Sequence, residues 1–142
     1  MNAIFVDTSG FVALADKRDQ HHVRAKRFFR VLARTHKPLV TSTYVADEVT
    51  TLVRMRIGHG VAVEVGNAIL GSRWCRMLDV DEEMRSSAWT LFTRYKDQEF
   101  SFTDCTSFAI MRALGLDEAF TFDRRDFAAA GFSVVPPEGQ PR

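Results

Sequence analysis

The sequence predicts an α/β domain: a three-layer α/β/α arrangement on a mostly parallel central sheet. Short apolar runs rich in strand formers alternate along the chain with segments of helical periodicity. The first run, Ala3-Ile4-Phe5-Val6, is apolar at every position, which suits a strand covered on both faces rather than one with a wet side. The 142 residues, 46% of them hydrophobic, carry no internal repeat, low-complexity tract or interior linker. One domain over residues 1–135 is expected, with residues 136–142, rich in proline, as a flexible tail.

The elements follow in order. Asp7-Thr8-Ser9-Gly10 breaks the first strand and leads into a short helix ending near Asp16. Over residues 20–35 the apolar Ala25, Phe28, Phe29, Leu32 and Ala33 recur at helical spacing while arginines and lysines fill most other positions, giving a basic amphipathic helix. Leu39-Val40-Thr41 reads as a strand, and Ser42 or Thr43 can cap a helix running to about Ile57. Gly58-His59-Gly60 turns the chain into a second helix over residues 61–70, so these two helices form a hairpin. A strand over residues 76–80 precedes an amphipathic helix marked by Met84, Ala88, Leu91, Phe92 and Tyr95. Residues 103–114 form a helix apolar on all sides, hence buried on all sides. Strands over residues 119–122 and 133–135 complete the sheet.

Composition excludes several classes. No apolar run approaches the roughly 18 residues a bilayer helix needs, so no membrane partner is expected. No basic segment followed by an apolar stretch and a cleavage site opens the chain, and Cys75 and Cys105 fit neither a metal spacing nor a disulfide framework. The expected location is cytoplasmic, with both thiols reduced. The four histidines, His21, His22, His36 and His59, lie in polar or turn segments without zinc-ligand spacing.

The chemistry lies in four acids. Asp7 ends the first strand and Asp123 ends Phe120-Thr121-Phe122, at the carboxyl edge where open α/β sheets place their sites. Asp104 stands in the capping-box pattern Ser101-Phe102-Thr103-Asp104 at the start of the all-apolar helix. Glu48 borders the apolar stripe of its helix, whereas Asp47 points nearly opposite, to solvent. Each has an ordinary alternative: a helix cap or turn for the aspartates, a boundary residue for Glu48. Jointly those alternatives weaken, because four carboxylates converging on one sheet edge cannot all remain ionised without positive charge. Mg²⁺ or Mn²⁺, with its preference for carboxylate and water oxygens, would supply that charge, acidify an attacking water and clamp a phosphodiester.

At this point the sequence resembles the PIN-domain nucleases, and among them the VapC-type toxins of toxin–antitoxin pairs. The resemblance spans residues 3–135 and rests on Ile4-Phe5-Val6-Asp7-Thr8-Ser9, Glu48, Ser101-Phe102-Thr103-Asp104 and Phe120-Thr121-Phe122-Asp123-Arg124-Arg125-Asp126-Phe127, in that order and spacing. It implies a PIN-like fold and a Mg²⁺- or Mn²⁺-dependent endoribonuclease acting as the toxin of a type II pair. Asp7, Glu48, Asp104 and Asp123 would be catalytic and metal-binding, with Asp126 either completing the metal site or bracing its loop. Thr8 or Ser9 would bring a hydroxyl beside the metal, and Thr121 would support Asp123. In the mechanism expected, Asp7, Asp104 and Asp123 hold the principal ion and Glu48 orients or deprotonates water. The resemblance also implies RNA as substrate, a homodimer, and a cognate antitoxin in a groove built by residues 44–71, where Val61, Val63, Val65, Ile69 and Leu70 are apolar enough to serve.

Charge bears on the same question. The formal net charge is +1, from 19 Lys+Arg against 18 Asp+Glu, yet residues 17–37 hold eight cations and the single acid Asp19. That helix, including Arg24 and Arg27, can contact phosphates or can be a solvated face. Arg124 and Arg125, beside Asp123, and Arg54 and Arg56, on the Glu48 helix, are further phosphate candidates. Two alternatives from other classes stand beside the nuclease: a noncatalytic PIN-like module that binds RNA or protein, and an aspartyl phosphotransfer domain. The second needs another aspartate two positions after Asp7, where Ser9 stands.

Overall fold

The central strand is β1 (Ile4–Val6), buried along its whole length as its apolar run requires. A computed structural model describes residues 2–138 and arranges five parallel strands around it: β1, β2 (Leu39–Ser42), β3 (Arg76–Leu78), β4 (Glu118–Phe120) and β5 (Ser133–Val135). Their order across the sheet is β3-β2-β1-β4-β5. Ile4 pairs with Leu39 on one side and with Glu118 on the other. Helices cover both faces, so the expected three-layer α/β/α class with a parallel sheet is what the chain adopts.

Among the described residues seven helices connect the strands: α1 (Thr8–Ala15), α2 (His22–Thr35), α3 (Thr43–Arg56), α4 (His59–Leu70), α5 (Glu82–Arg94), α6 (Phe102–Leu114) and α7 (Arg124–Ala129). The caps follow the sequence where it offers them. Ser42 Oγ accepts from the Val45 N–H, and Asp81 Oδ1 accepts from the Met84 N–H. At α6 the capping box is complete: Ser101 Oγ accepts from the Asp104 N–H, and Asp104 Oδ2 accepts from the Ser101 N–H, both at 3.0 Å. Gly115 closes that helix in the left-handed conformation, at φ 67°, which glycine adopts without steric penalty.

Two expectations are corrected, and one element is added. The helix over residues 103–114 is buried from Cys105 to Met111, but Arg112 and Ala113 emerge into solvent, so its last turn is a surface. The fourth strand ends at Phe120 rather than residue 122, because the next two positions put their polar groups elsewhere: Phe122 N–H donates to Ser9 Oγ and Asp123 N–H to Thr121 Oγ1. A short helix over Arg124–Ala129, which the sequence reading did not anticipate, fills the space between β4 and β5.

The core is strongly aromatic. Phe5, Phe11, Phe108, Phe120 and Phe127 are fully buried. Phe108 of α6 meets Phe127 of α7 edge to face at 5.0 Å, one helical turn beyond Asp104 and one residue beyond Asp126, so that contact fixes how the two acids approach. Cys75 and Cys105 are buried and unbridged, and burial pushes their thiols up to about 12 and about 11, which leaves them unreactive. Pro136–Glu138 lies against the domain: Arg24 donates to the Pro137 carbonyl and Arg124 to the Pro136 carbonyl. The rest of the expected tail, 139–142, falls outside the described residues.

Candidate active site

In the strand order β3-β2-β1-β4-β5 the chain leaves β1 toward β2 and returns to its other side only at β4, so the connections diverge between β1 and β4. A crevice opens at such a switch point. Here it is a cleft of about 400 Å³ lined by Asp7, Thr8, Ser9, Glu48, Asp104 and Asp123, with Asp19, Gln20, His21, Arg56 and Phe122 among its other walls. All four acids named from the sequence therefore face one cavity.

Asp7 is placed by the sheet itself. Its N–H donates to the Phe120 carbonyl, which ties the end of β1 to the end of β4. Although it occupies the N-cap position of α1, its side chain makes no capping hydrogen bond. Instead, Oδ2 accepts from Thr121 Oγ1 at 2.9 Å and from Ser9 Oγ at 3.4 Å. Burial, reinforced by the charge of Asp104, pushes this carboxyl up to about 7. Thr121 is fully buried and braces both halves of the site, donating to Asp7 and accepting the Asp123 N–H. Ser9 is wired into the same network, 2.9 Å from Thr121 Oγ1.

Glu48 reaches the cleft from the second turn of α3, directly after the capped end of β2, while Asp47 is exposed as its helical phase predicts. Asp104 uses Oδ2 for the capping box, so capping and site facing coexist in one carboxylate. Its carboxyl is raised by burial against the pull of its Ser101 hydrogen bonds, and the charges of Asp126 and Glu48 raise it further. Asp123 is raised to about 6, first by burial and then by the charges of Asp126 and Asp104. Like Asp7, it precedes a helix without capping it through its side chain.

The tightest grouping differs from the trio expected from the sequence. Asp104, Asp123 and Asp126 each bring a carboxylate oxygen within 4.8 Å of the others. Asp126 thus joins the cluster through α7, while Asp7 forms the buried floor, coupled by charge to Asp104 and Asp123. No ion pair among the described residues neutralises any of these acids. Thr8 Oγ1 adds an orphan: it is the one buried side-chain polar atom among the described residues without a hydrogen-bond partner, and its residue lines the cleft. An all-oxygen set with excess negative charge and an unpartnered hydroxyl fits a hard divalent cation.

The basic candidates fare differently. Arg24 and Arg124 point at the carbonyls of Pro137 and Pro136, and Arg124 Nε lies 3.6 Å from Glu138 Oε1. Arg27 and Arg125 do not line the cleft, whereas Arg56 does. Arg56 also lines an adjoining cavity of about 380 Å³ together with Lys17 and Arg18. Sequence reasoning missed His21, which lies parallel to Phe122 at 4.4 Å between ring centroids. No spacing signal could have found it, because its partner is about a hundred residues away. Of the apolar hairpin residues, Val65 and Ile69 are core, whereas Val63 and Leu70 are exposed beside a groove of about 350 Å³ between α3 and α4.

Fold and site together define an α/β protein with a half-buried carboxylate cluster at the carboxyl edge of its sheet. Residues 4–133 match the family model of the PIN domain, and the chain belongs to that family, on its VapC-type branch. It is 42% identical over 137 residues to the 23S rRNA-specific endonuclease VapC20 of Mycobacterium tuberculosis, across 95% of this chain and 99% of that protein. Ribonuclease VapC26 of the same organism is 25% identical over 143 residues, across 94% of this chain and 100% of its own length. The crystal structure of M. tuberculosis VapC20, a sarcin-ricin loop cleaving toxin, superposes with a TM-score of 0.85 at 40% identity, covering 95% of this chain and 100% of that one. FitAcB from Neisseria gonorrhoeae shares the fold, with a TM-score of 0.68 at 18% identity over 96% of this chain and 99% of that one.

Proposed function

We propose that this chain is a Mg²⁺- or Mn²⁺-dependent endoribonuclease, the toxin of a type II toxin–antitoxin pair, and that it cleaves 23S rRNA within the sarcin-ricin loop. Full-length likeness to VapC20 supports the substrate. One observation carries the chemistry: Asp7, Glu48, Asp104 and Asp123 line one cleft, Asp104, Asp123 and Asp126 bring carboxylate oxygens within 4.8 Å of one another, and no ion pair among the described residues neutralises them. Asp7, Asp104, Asp123 and Asp126 would hold the ion, with Thr8 beside them. When bound, a divalent ion there supplies positive charge against a phosphodiester oxygen and acidifies an attacking water.

The chain's own residues do the rest. Glu48 accepts the proton of the attacking water. Thr121 and Ser9 hold the Asp7 carboxylate in place, and Thr121 also fixes the Asp123 backbone. In-line attack breaks the bond from phosphorus to the 3′-oxygen and leaves 5′-phosphate and 3′-hydroxyl ends. The 2′-hydroxyl takes no part in that step, so preference for RNA comes from shape and sugar contacts. Arg56, with Lys17 and Arg18 in the adjoining cavity, receives the flanking phosphates. The α3–α4 groove, with Val63 and Leu70 at its surface, takes the antitoxin, and an antitoxin arginine placed among the carboxylates would inhibit by charge-assisted bonding. A homodimer working in the cytoplasm belongs to the same reading. Among the described residues no helix is long and apolar enough to cross a membrane.

The test is cleavage of an end-labelled sarcin-ricin hairpin with Mg²⁺ or Mn²⁺, then with EDTA, and with Asp7→Asn and Asp104→Asn. Cleavage at one position, abolished by EDTA and by either variant, is expected. RNA binding without cleavage under every metal condition would instead establish a noncatalytic binding module.

A further inference from the structure

Beside the carboxylates, the cleft has an aromatic wall that metal chemistry does not require. His21 and Phe122 both line it, with ring planes 3° apart and centroids 4.4 Å apart. Both are held from behind. Phe122, the residue before Asp123, donates its N–H to Ser9 Oγ at 2.8 Å. His21 donates its N–H to Asp19 Oδ1 at 2.8 Å, and its carbonyl accepts the Ala25 N–H at 2.8 Å. The next residue, His22, is anchored through Nδ1 to the Ala13 carbonyl, also at 2.8 Å. The loop from α1 to α2 is thereby fixed in the conformation that lays the imidazole on the phenyl ring.

A rigid, half-buried pair of flat rings beside a phosphodiester site is suited to the π-face of a nucleobase. The cleft, at about 400 Å³, is also far larger than an ion and a few waters fill, each water taking about 30 Å³. We propose that His21 and Phe122 form a stacking wall for one unpaired base of the RNA substrate, next to the phosphodiester presented to the carboxylates. His21 is then a positioning and specificity-determining residue. A base within a duplex has its faces covered by its neighbours and cannot use the wall. The enzyme would therefore select a nucleotide splayed from a loop or bulge, and selection would be by shape rather than by hydrogen-bond code. This inference rests on the nuclease reading and names how its site chooses a substrate.

The experiment places 2-aminopurine at successive positions around the cleavage site of the RNA hairpin and follows its fluorescence on binding in EDTA, where no cleavage competes. One position should be quenched by the parent protein. His21→Ala should abolish that quenching and raise KM about tenfold or more, as loss of a stacked base does, with kcat nearly unchanged. His21→Phe keeps a flat ring and should restore both quenching and KM. Quenching that survives His21→Ala, or a His21→Phe variant as defective as His21→Ala in quenching and KM, would overturn the proposal. A protein that cleaves the RNA but quenches no position also overturns the wall while the nuclease reading stands. A protein that binds and quenches but never cleaves with Mg²⁺ or Mn²⁺ upholds the wall and overturns the nuclease.

Discussion

Asp7 carries opposite demands from its surroundings: burial and Asp104 favour its neutral form, while the hydrogen bond from Thr121 favours the carboxylate. Without metal, its carboxyl is at about 7 in the folded chain, against roughly 3.9 in an unfolded one. Between those values the native state binds the extra proton, so this contribution to stability is full below about 4 and is lost as pH rises through about 7. Asp123, raised to about 6, adds the same sign over a narrower window. The metal-free protein should therefore unfold at lower urea concentration at pH 8 than at pH 5. Asp7→Asn should flatten that dependence, and saturating Mn²⁺ should reverse the loss at pH 8. A metal-free midpoint that rises from pH 5 to pH 8 and is insensitive to Asp7→Asn contradicts this account. Thr121→Val tests the brace. It removes the donor to Asp7 and leaves the Asp123 N–H without its acceptor, so a loss of about 1–3 kcal/mol is expected in urea unfolding. Mn²⁺ affinity should fall with it, and Thr121→Ser should recover most of both. Asp7, Asp104 and Asp123 were legible in the sequence because each ends or begins an element, and Glu48 because it borders the apolar stripe of its helix. The second role of Thr121 and the position of His21 were not, since each depends on a partner about a hundred residues away, Asp7 for the one and Phe122 for the other.

Elements were readable wherever a period or a cap announced them. The α6 capping box and the basic amphipathic α2 stand where their patterns put them. Helix α7 escaped because six residues are too few to display a period, and its start coincides with the Asp123-Arg124-Arg125-Asp126 charge run. Yet α7 delivers Asp126 to the carboxylate cluster, with Phe127 seated against Phe108. Helix α1 matters to the site for another reason, its distance from β4. A Cβ on Gly10 would lie 2.8 Å from the Phe120 carbonyl oxygen and 3.0 Å from its ring, so glycine permits the close approach. Gly10→Ala should cost about 1–3 kcal/mol of stability by overpacking, despite alanine's better helix propensity. Because the displaced contact separates β1 from β4, Mn²⁺ affinity should drop in the same variant, read by thermal unfolding and metal titration. Gly66→Ala, whose Cβ would meet only the Thr50 methyl at 3.1 Å, should lose less stability and leave metal affinity unchanged. Equal losses of metal affinity in the two would refute the link between α1 packing and the site.

Across the whole molecule, a net charge of +1 conceals two opposed regions. Setting aside the five site acids Asp7, Glu48, Asp104, Asp123 and Asp126 leaves 13 acids against 19 cations, so the rest of the protein is basic. Two stretches of that basic surface compete to carry the RNA backbone: the solvent face of α2, and the cavity of Lys17, Arg18 and Arg56 that shares Arg56 with the cleft. Continuity favours the cavity, because a strand whose phosphodiester sits at the carboxylates passes Arg56 on leaving them, whereas Arg24 of α2 is already turned to the Pro137 carbonyl. Phosphate contacts release counterions, so log K for the RNA should fall linearly with log salt, by about 0.7 per contact on a single strand. Measured by fluorescence anisotropy in EDTA, Arg18→Ala and Arg56→Ala should each weaken binding and reduce that slope by about one contact. Arg30→Ala, on the exposed face of α2, should leave the slope in place. The opposite pattern would route the backbone over α2 instead.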